Sequence, residues 1–315
     1  MLNRRYLRVK VMQALYAFFQ SDNKDLRKGE KELLNSIEKI YDLYIYLLVL
    51  LIEIQEQAER IAADAKNKRL PTESDLNPNT LFIENAVIKQ LSGSSRLKRE
   101  AANRKITWQT DDELVRKILA GIKSSDEYLQ YMNTPERSYE TDKQFMIAIY
   151  KNCIADFELL EHYFEEKSIY WVDDMRLANN GVLKTLEGLS AASKSDFTLM
   201  PLYKDEEEDK QFVIELFNKT VLHEKESELV ISEKTKNWEV ERIAMMDILL
   251  MKMAITEILH FESIPVKVSL NEYIEISKLY SSPKSKMFIN GILDKLVQDF
   301  KRDSKLVKTG RGLME

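Results

Sequence analysis

An all-α fold is predicted by three observations. Glycine and proline are scarce, eight and six in 315 residues. Apolar residues recur at helical rather than alternating spacing through long stretches, and residues 238–300, opened by Trp238, carry an ordered series of helix start and stop signals. With 44% apolar residues the chain can bury a substantial core, as one large helical domain or two smaller ones.

The first helix is expected near the amino terminus. Projected at about 100° per residue, Arg4, Arg8 and Arg5 share an arc with Leu15, Phe19, Met12 and Tyr16. Such an arc cannot be buried along its whole length. The later turns are therefore expected to dock into a bundle while the first turns project beyond it, offering Arg4, Arg5, Arg8 and Lys10 to solvent. No acidic residue precedes Asp22. Charge alone reads as a solvated basic terminus, although arginine forks at the same place would also engage phosphate oxygens bidentately.

Further helices are expected at 29–67, 81–91, 112–132, 141–163 and 171–189, separated by Pro71, Pro78, Ser92-Gly93-Ser94-Ser95, Pro135 and Pro201. The run 41–54 is densely apolar, yet only ten residues separate Asp42 from Glu53, against roughly 20 for a spanning helix, so a buried core helix is expected there. The single cysteine, Cys153, excludes an intramolecular disulfide, suits a reducing compartment and reads as a small core residue. The acidic run 205–209 reads as a charged linker or helix start and marks a boundary. Laying the segment from Phe145 over that from Phe212 aligns Phe145/Phe212, Ile147/Ile214, Glu166/Glu233, Lys167/Lys234, Trp171/Trp238 and Leu183/Leu250. Helical periodicity alone produces such coincidences, and a duplicated helical unit is the other reading.

The closing region is the most explicit. Residues 243–259, from Ile243, are apolar on nearly every face through Met245, Met246, Leu249, Leu250, Met253, Ala254 and Ile258, as a helix at the centre of a bundle would be. Pro265 stops it. Ser269 and Glu272 read as a capping box that starts a helix at Leu270. Ser282-Pro283 reads as a cap before a proline at the first helical position, followed by Phe288, Ile289, Ile292, Leu293, Leu296, Val297 and Phe300 at helical spacing. Lys301, Arg302, Lys305, Lys308 and Arg311 form a basic ending whose last part, 304–315, is expected to fray, with an electrostatic contribution to RNA binding as the other reading.

No catalytic constellation, metal or cofactor is expected. His162, His223 and His260 are far apart and one cysteine gives no zinc spacing, while Gly310 and Gly312 lie outside any strand–turn–helix context that would cradle phosphate. The start shows no secretory signal, so a cytoplasmic protein is expected.

Two ends of the chain carry a resemblance. Glu257, Pro265, Val268, Asn271-Glu272, Ser277-Lys278 and Phe288-Ile289-Asn290-Gly291-Ile292-Leu293-Asp294 resemble, in that order, the closing half of the NusB family of transcription antitermination factors. Arg4-Arg5-Tyr6-Leu7-Arg8-Val9-Lys10 followed by Gln13-Ala14-Leu15-Tyr16 resembles the same family's arginine-rich start. The matching stretches cover about a third of the chain. The resemblance implies a NusB-like helical bundle built from 1–22 and 206–303, with 23–205 a helical insertion of unknown role.

The same resemblance implies a non-enzymatic factor that binds boxA-like single-stranded RNA of ribosomal RNA leaders. Its partners would be NusE, a small-subunit ribosomal protein, and the transcribing RNA polymerase complex. Carried over by position, Arg4, Arg5, Arg8 and Lys10 would bind RNA, with Tyr16 either a stacking platform or core. Ser285, Lys286 and Asn290 would extend that surface, Asn290 alternatively capping or bridging helices. Gly291 would mark a close helix contact and Glu272 would cap. A second cluster, Arg96, Lys98, Arg99, Arg104 and Lys105, reads as an exposed helix face, with a further RNA contact as the other reading. Ribosomal RNA cytosine methyltransferases, whose front part is also NusB-like, are set aside for want of a glycine-rich α/β stretch and catalytic cysteines. Lys252 stands where the family often has arginine, Lys284 sits in a loop often acidic there, and the net charge is −5. These departures leave open a helical protein-interaction scaffold that has lost RNA binding.

Overall fold

The structure, a computed structural model, describes residues 1–22, 24–135, 137–193, 195, 197–235 and 244–309; among these there are helices and turns but no strand. The chain divides into two compact units, one of Met1 with Glu38–Leu202 and one of Leu2–Ile37 with Tyr203–Glu315. Helix α1 spans Arg4–Gln20 and is capped by Asn3, whose side chain accepts from the backbone N–H groups of Arg5 and Tyr6 at 3.0 Å each. Helix α2, Leu26–Lys66, gives its first residues to the second unit and the remainder to the first. The division therefore falls after Ile37, inside a helix, whereas the sequence suggested a boundary after residue 22.

In the unit of Glu38–Leu202, Leu43, Tyr44, Ile45, Leu47, Leu48, Leu50 and Leu51 of α2 are buried, as expected of a core helix. Among the described residues no helix is long and apolar enough to cross a membrane. The rest of the unit is α3 (Glu73–Leu76), α4 (Ala86–Ser92), α5 (Ser95–Asn103), α6 (Asp112–Ser124), α7 (Asp126–Met132), α8 (Tyr139–Ile149), α9 (Glu158–Lys167) and α10 (Met175–Gly188). Stretch 112–132 breaks in two because Ser125 accepts the Tyr128 N–H and caps α7. Stretch 141–163 breaks where α8 passes into a π-helical turn, Tyr150–Ile154, before α9. Cys153 is half-buried rather than in the core. Tyr46 meets Trp108, Phe164 and Trp171 edge-on, and both indoles donate to α2 carbonyls, Trp108 to Tyr46 at 3.0 Å and Trp171 to Lys39 at 2.7 Å.

In the second unit follow α11 (Glu206–Leu222), α12 (Glu224–Lys234), α13 (Met245–His260), α14 (Val266–Tyr280) and α15 (Ser285–Arg302). Asp205 caps α11 by accepting the Glu208 N–H at 3.0 Å, so the acidic run is a helix start. Helix α13 packs against α1, α11, α12, α14 and α15. These neighbours close around its later turns, so Leu249 through Ile258 are all buried, whereas Met245 in the first turn, expected in the core, is exposed and Met246 half-buried. Trp238 and Ile243, expected at the opening of this region, lie outside the described residues.

Three local readings are corrected. Helix α14 starts directly after Pro265, so Ser269 and Glu272 lie within it and make no capping box. Ser282-Pro283 precede α15, whose first residue is Ser285. Gly291 is exposed and a Cβ there would meet nothing within 4 Å, so no helix packs against it. The aligned pairs from Phe145 and Phe212 fall on α8/α11, α9/α12 and α10/α13, Trp238 excepted.

Candidate nucleic-acid interface

The arginines of α1 do not project free of the bundle. Arg8 is 2% exposed and forks onto Glu257 of α13, itself fully buried, with Nε to Oε2 and Nη2 to Oε1 both at 2.7 Å. Ser269 and Tyr273 of α14 donate to the same carboxylate at 2.7 and 3.0 Å. Burial works against the charge on Arg8, but the hydrogen bonds and charge of Glu257 outweigh it and hold its pKa above the ordinary arginine value. Burial likewise pushes the Tyr273 hydroxyl well up, keeping it a donor. Four side chains from three helices thus close one buried knot. Lys10 is also buried, at 3% exposure. The expectation that Arg8 and Lys10 face solvent is therefore wrong: a guanidinium on the inner side of α1 finds a carboxylate on the central helix.

Arg5 and Arg4 lie nearer the surface. Arg5, 44% exposed at its side chain, forks onto Glu272 with both contacts at 2.9 Å. That hydrogen bonding, against a smaller burial effect, draws the Glu272 carboxyl below its ordinary pKa. Glu272 therefore pairs rather than caps. Arg4 reaches Glu208 at 2.6 Å and Asp209 at 3.2 Å, with its guanidinium 4.4 Å from the centre of the Phe212 ring. These groups line a cleft of about 860 Å³ whose walls alternate Arg4, Arg5 and Arg8 with Glu208, Glu215 and Glu272 around Phe212 and Phe261. The cleft carries both signs of charge.

The turn before α15 is divided. Ser285 is buried and donates to Asp247 of α13 at 2.8 Å, while Ser281 donates to the other oxygen of the same carboxylate. Ser285 is thus a fastening and not an exposed contact. Lys286 is exposed, and half-buried Asn290 donates to Asp294 within α15 at 2.9 Å. Lys278 holds the Glu275 carboxyl below its ordinary pKa, with smaller lowering by the charges of Arg5 and Lys286. Tyr16 is 43% exposed and lines another groove, with Phe19, Met245, Ile248 and Lys252. Lys252 is buried and paired with Glu224 at 3.1 Å and Glu228 at 2.6 Å.

The sequence reading missed the carboxylates that receive these cations. One signal was present: Glu257 sits in a helix apolar all round, where a charge must meet a partner.

The NusB family profile matches residues 172–298. The transcription antitermination protein NusB of Salinibacter ruber is 39% identical over 145 residues, covering 44% of this chain and 90% of that protein. The protein of that name from Chloroherpeton thalassium is 41% identical over 106 residues, 34% of this chain and 50% of its own length. The one from Alkaliphilus oremlandii is 36% identical over 93 residues, 30% and 67% respectively. No solved structure matches.

Proposed function

The chain belongs to the NusB family, and from that premise we propose that it binds boxA-like single-stranded RNA of ribosomal RNA leaders together with NusE. In this reading it is a transcription antitermination factor of the transcribing polymerase complex. The observation that carries the reading is the 39% identity across 90% of a protein named for transcription antitermination.

Energetics decide which of the basic residues serve RNA. A half-exposed pair such as Arg5–Glu272 is worth about 0–1 kcal/mol, so a phosphate can replace the carboxylate at little expense. Withdrawing Arg8 from Glu257 would strand a buried charge at about 3–5 kcal/mol. The RNA contacts are accordingly Arg5 and Lys286, with Arg4 at the cleft rim, Asn290 on the same helix as Lys286, and Tyr16 a stacking group in a separate groove further along α1. Arg8 and Ser285 hold the elements that present them, and Lys10 is buried.

Affinity for boxA RNA and for a scrambled RNA of equal length, each with and without purified NusE, tests the reading. Tighter binding of boxA in the presence of NusE is expected. The pairing of Arg4, Arg5 and Arg8 with carboxylates favours a second reading, a protein-interaction scaffold without RNA binding, which predicts equal and negligible affinity in all four mixtures.

A further inference from the structure

The unit of Glu38–Leu202 carries a cationic face that the function above does not use. Residues 85–105 contain six Lys or Arg and one acidic residue, Glu100, in a chain of net charge −5. Glu100 is taken up by Arg104 at 3.4 Å, and Arg104 is held further by Asp42 at 2.6 Å and lies over the Tyr41 ring at 4.6 Å. Arg96, Lys98, Arg99 and Lys105 are all exposed, and none has an ion-pair partner among the described residues. Leu97 is buried and fixes the inner side of α5. At about 100° per residue, Arg96, Lys98 and Arg99 then occupy the arc that Leu97 leaves to solvent. Glu53 and Glu56 of α2, the latter within electrostatic range of Lys98, lie at 2.8 and 3.9 Å from Arg60.

Lys105 supplies an independent observation. Its φ is 55°, in the left-handed region that favours glycine. It stands just past a helix ending in which the Ile106 N–H donates to Ala101 at 2.9 Å and the Lys105 N–H to Ala102 at 3.1 Å, the pattern that commonly takes glycine at this position. A lysine here is less favourable than glycine, and its exposed side chain makes no hydrogen bond or ion pair among the described residues in return. Strain of this kind points to a use for the side chain outside the fold.

We propose that Arg96, Lys98, Arg99 and Lys105 bind the phosphate backbone of single-stranded RNA, as a second contact with little base preference. Cations without an exposed aromatic platform position a backbone and do not read bases. The choice of RNA among polyanions rests on the reading that the protein works on transcripts.

The test uses the full chain and a 20-nucleotide oligo(U), which lacks boxA, between 50 and 200 mM salt. Each lost phosphate contact lowers the log–log salt slope by about 0.7, so R96Q/K98Q/R99Q should flatten it by about 2 and shrink the loss of affinity across this range by roughly 20-fold. Lys105→Gly should weaken oligo(U) binding while raising Tm by about 2–4 °C, opposite signs that damage to the fold cannot produce. An unchanged slope in the triple variant, or a preference for poly-glutamate over oligo(U), would overturn the proposal. Oligo(U) binding that depends on α5, without any preference for boxA in the presence of NusE, would support this site and overturn the boxA reading instead.

Discussion

Replacing Arg8 by methionine should damage the fold far more than replacing Arg5, three residues away on the same helix. Methionine keeps the length of the side chain but leaves Glu257, fully buried, with the Ser269 and Tyr273 hydroxyls as its remaining donors among the described residues. Removing one partner of a buried pair costs about 3–5 kcal/mol, and the two surviving donors place this case at the lower end, about 3 kcal/mol. Arg5→Met breaks a half-exposed pair worth about 0–1 kcal/mol. Urea unfolding followed by far-ultraviolet circular dichroism reads the difference. With a denaturant slope of about 2 kcal/mol per molar, Arg8→Met should move the midpoint down by about 1.5 M and Arg5→Met by less than about 0.5 M. Equal shifts for the two variants would refute the assignment of Arg8 to the core.

Two further outcomes follow from individual residues. Burial, with the charges of His223 and Lys219, holds the His260 pKa below its ordinary 6.5, and its ring stacks on His223 at 4.3 Å. The unfolded chain then binds a proton that the folded chain resists, so this contribution is present above pH 6.5 and is lost as pH falls through the lower folded value. Urea midpoints should drop between pH 7.5 and 5.5, and His260→Phe should lessen the drop; an identical pH profile in the variant would contradict this. Gly291→Ala should stabilise the protein by about 0.5–1 kcal/mol, since α15 gains a better helix former in open space. A lowered Tm in that variant would reveal a packing contact there.

What could be read from the sequence was what depends on periodicity. The burial of the later turns of α13 and of the 41–54 run followed from apolar residues on every face, and the helical content from spacing and scarce glycine; Met245, equally apolar, is exposed at the start of α13. Local signatures were less secure, because a single pattern admits two partners. Ser269 and Glu272 have the spacing of a capping box, yet each turns to α1 or α13: Ser269 to Glu257, and Glu272 to Arg5. Ser125 lies inside a continuous helical pattern, and only its hydrogen bond to the Tyr128 N–H reveals the break between α6 and α7. The basic start of α1 was legible as charge but not as contacts. Arg8 meets a carboxylate 249 positions away, a distance over which helical spacing carries no information. Lys286 and Arg5 survive as surface cations because their surroundings leave them partly open, which is a property of the folded unit and not of the motif.

We propose that RNA affinity resides in Arg5 and Lys286, whereas Arg8 sustains the fold. The salt dependence of boxA RNA binding in the presence of NusE, compared between the native chain and R5A/K286A, tests it most directly. Loss of two phosphate contacts should reduce the log–log slope by about 1.4 with the helical signal unchanged. A slope equal to that of the native chain would contradict the account.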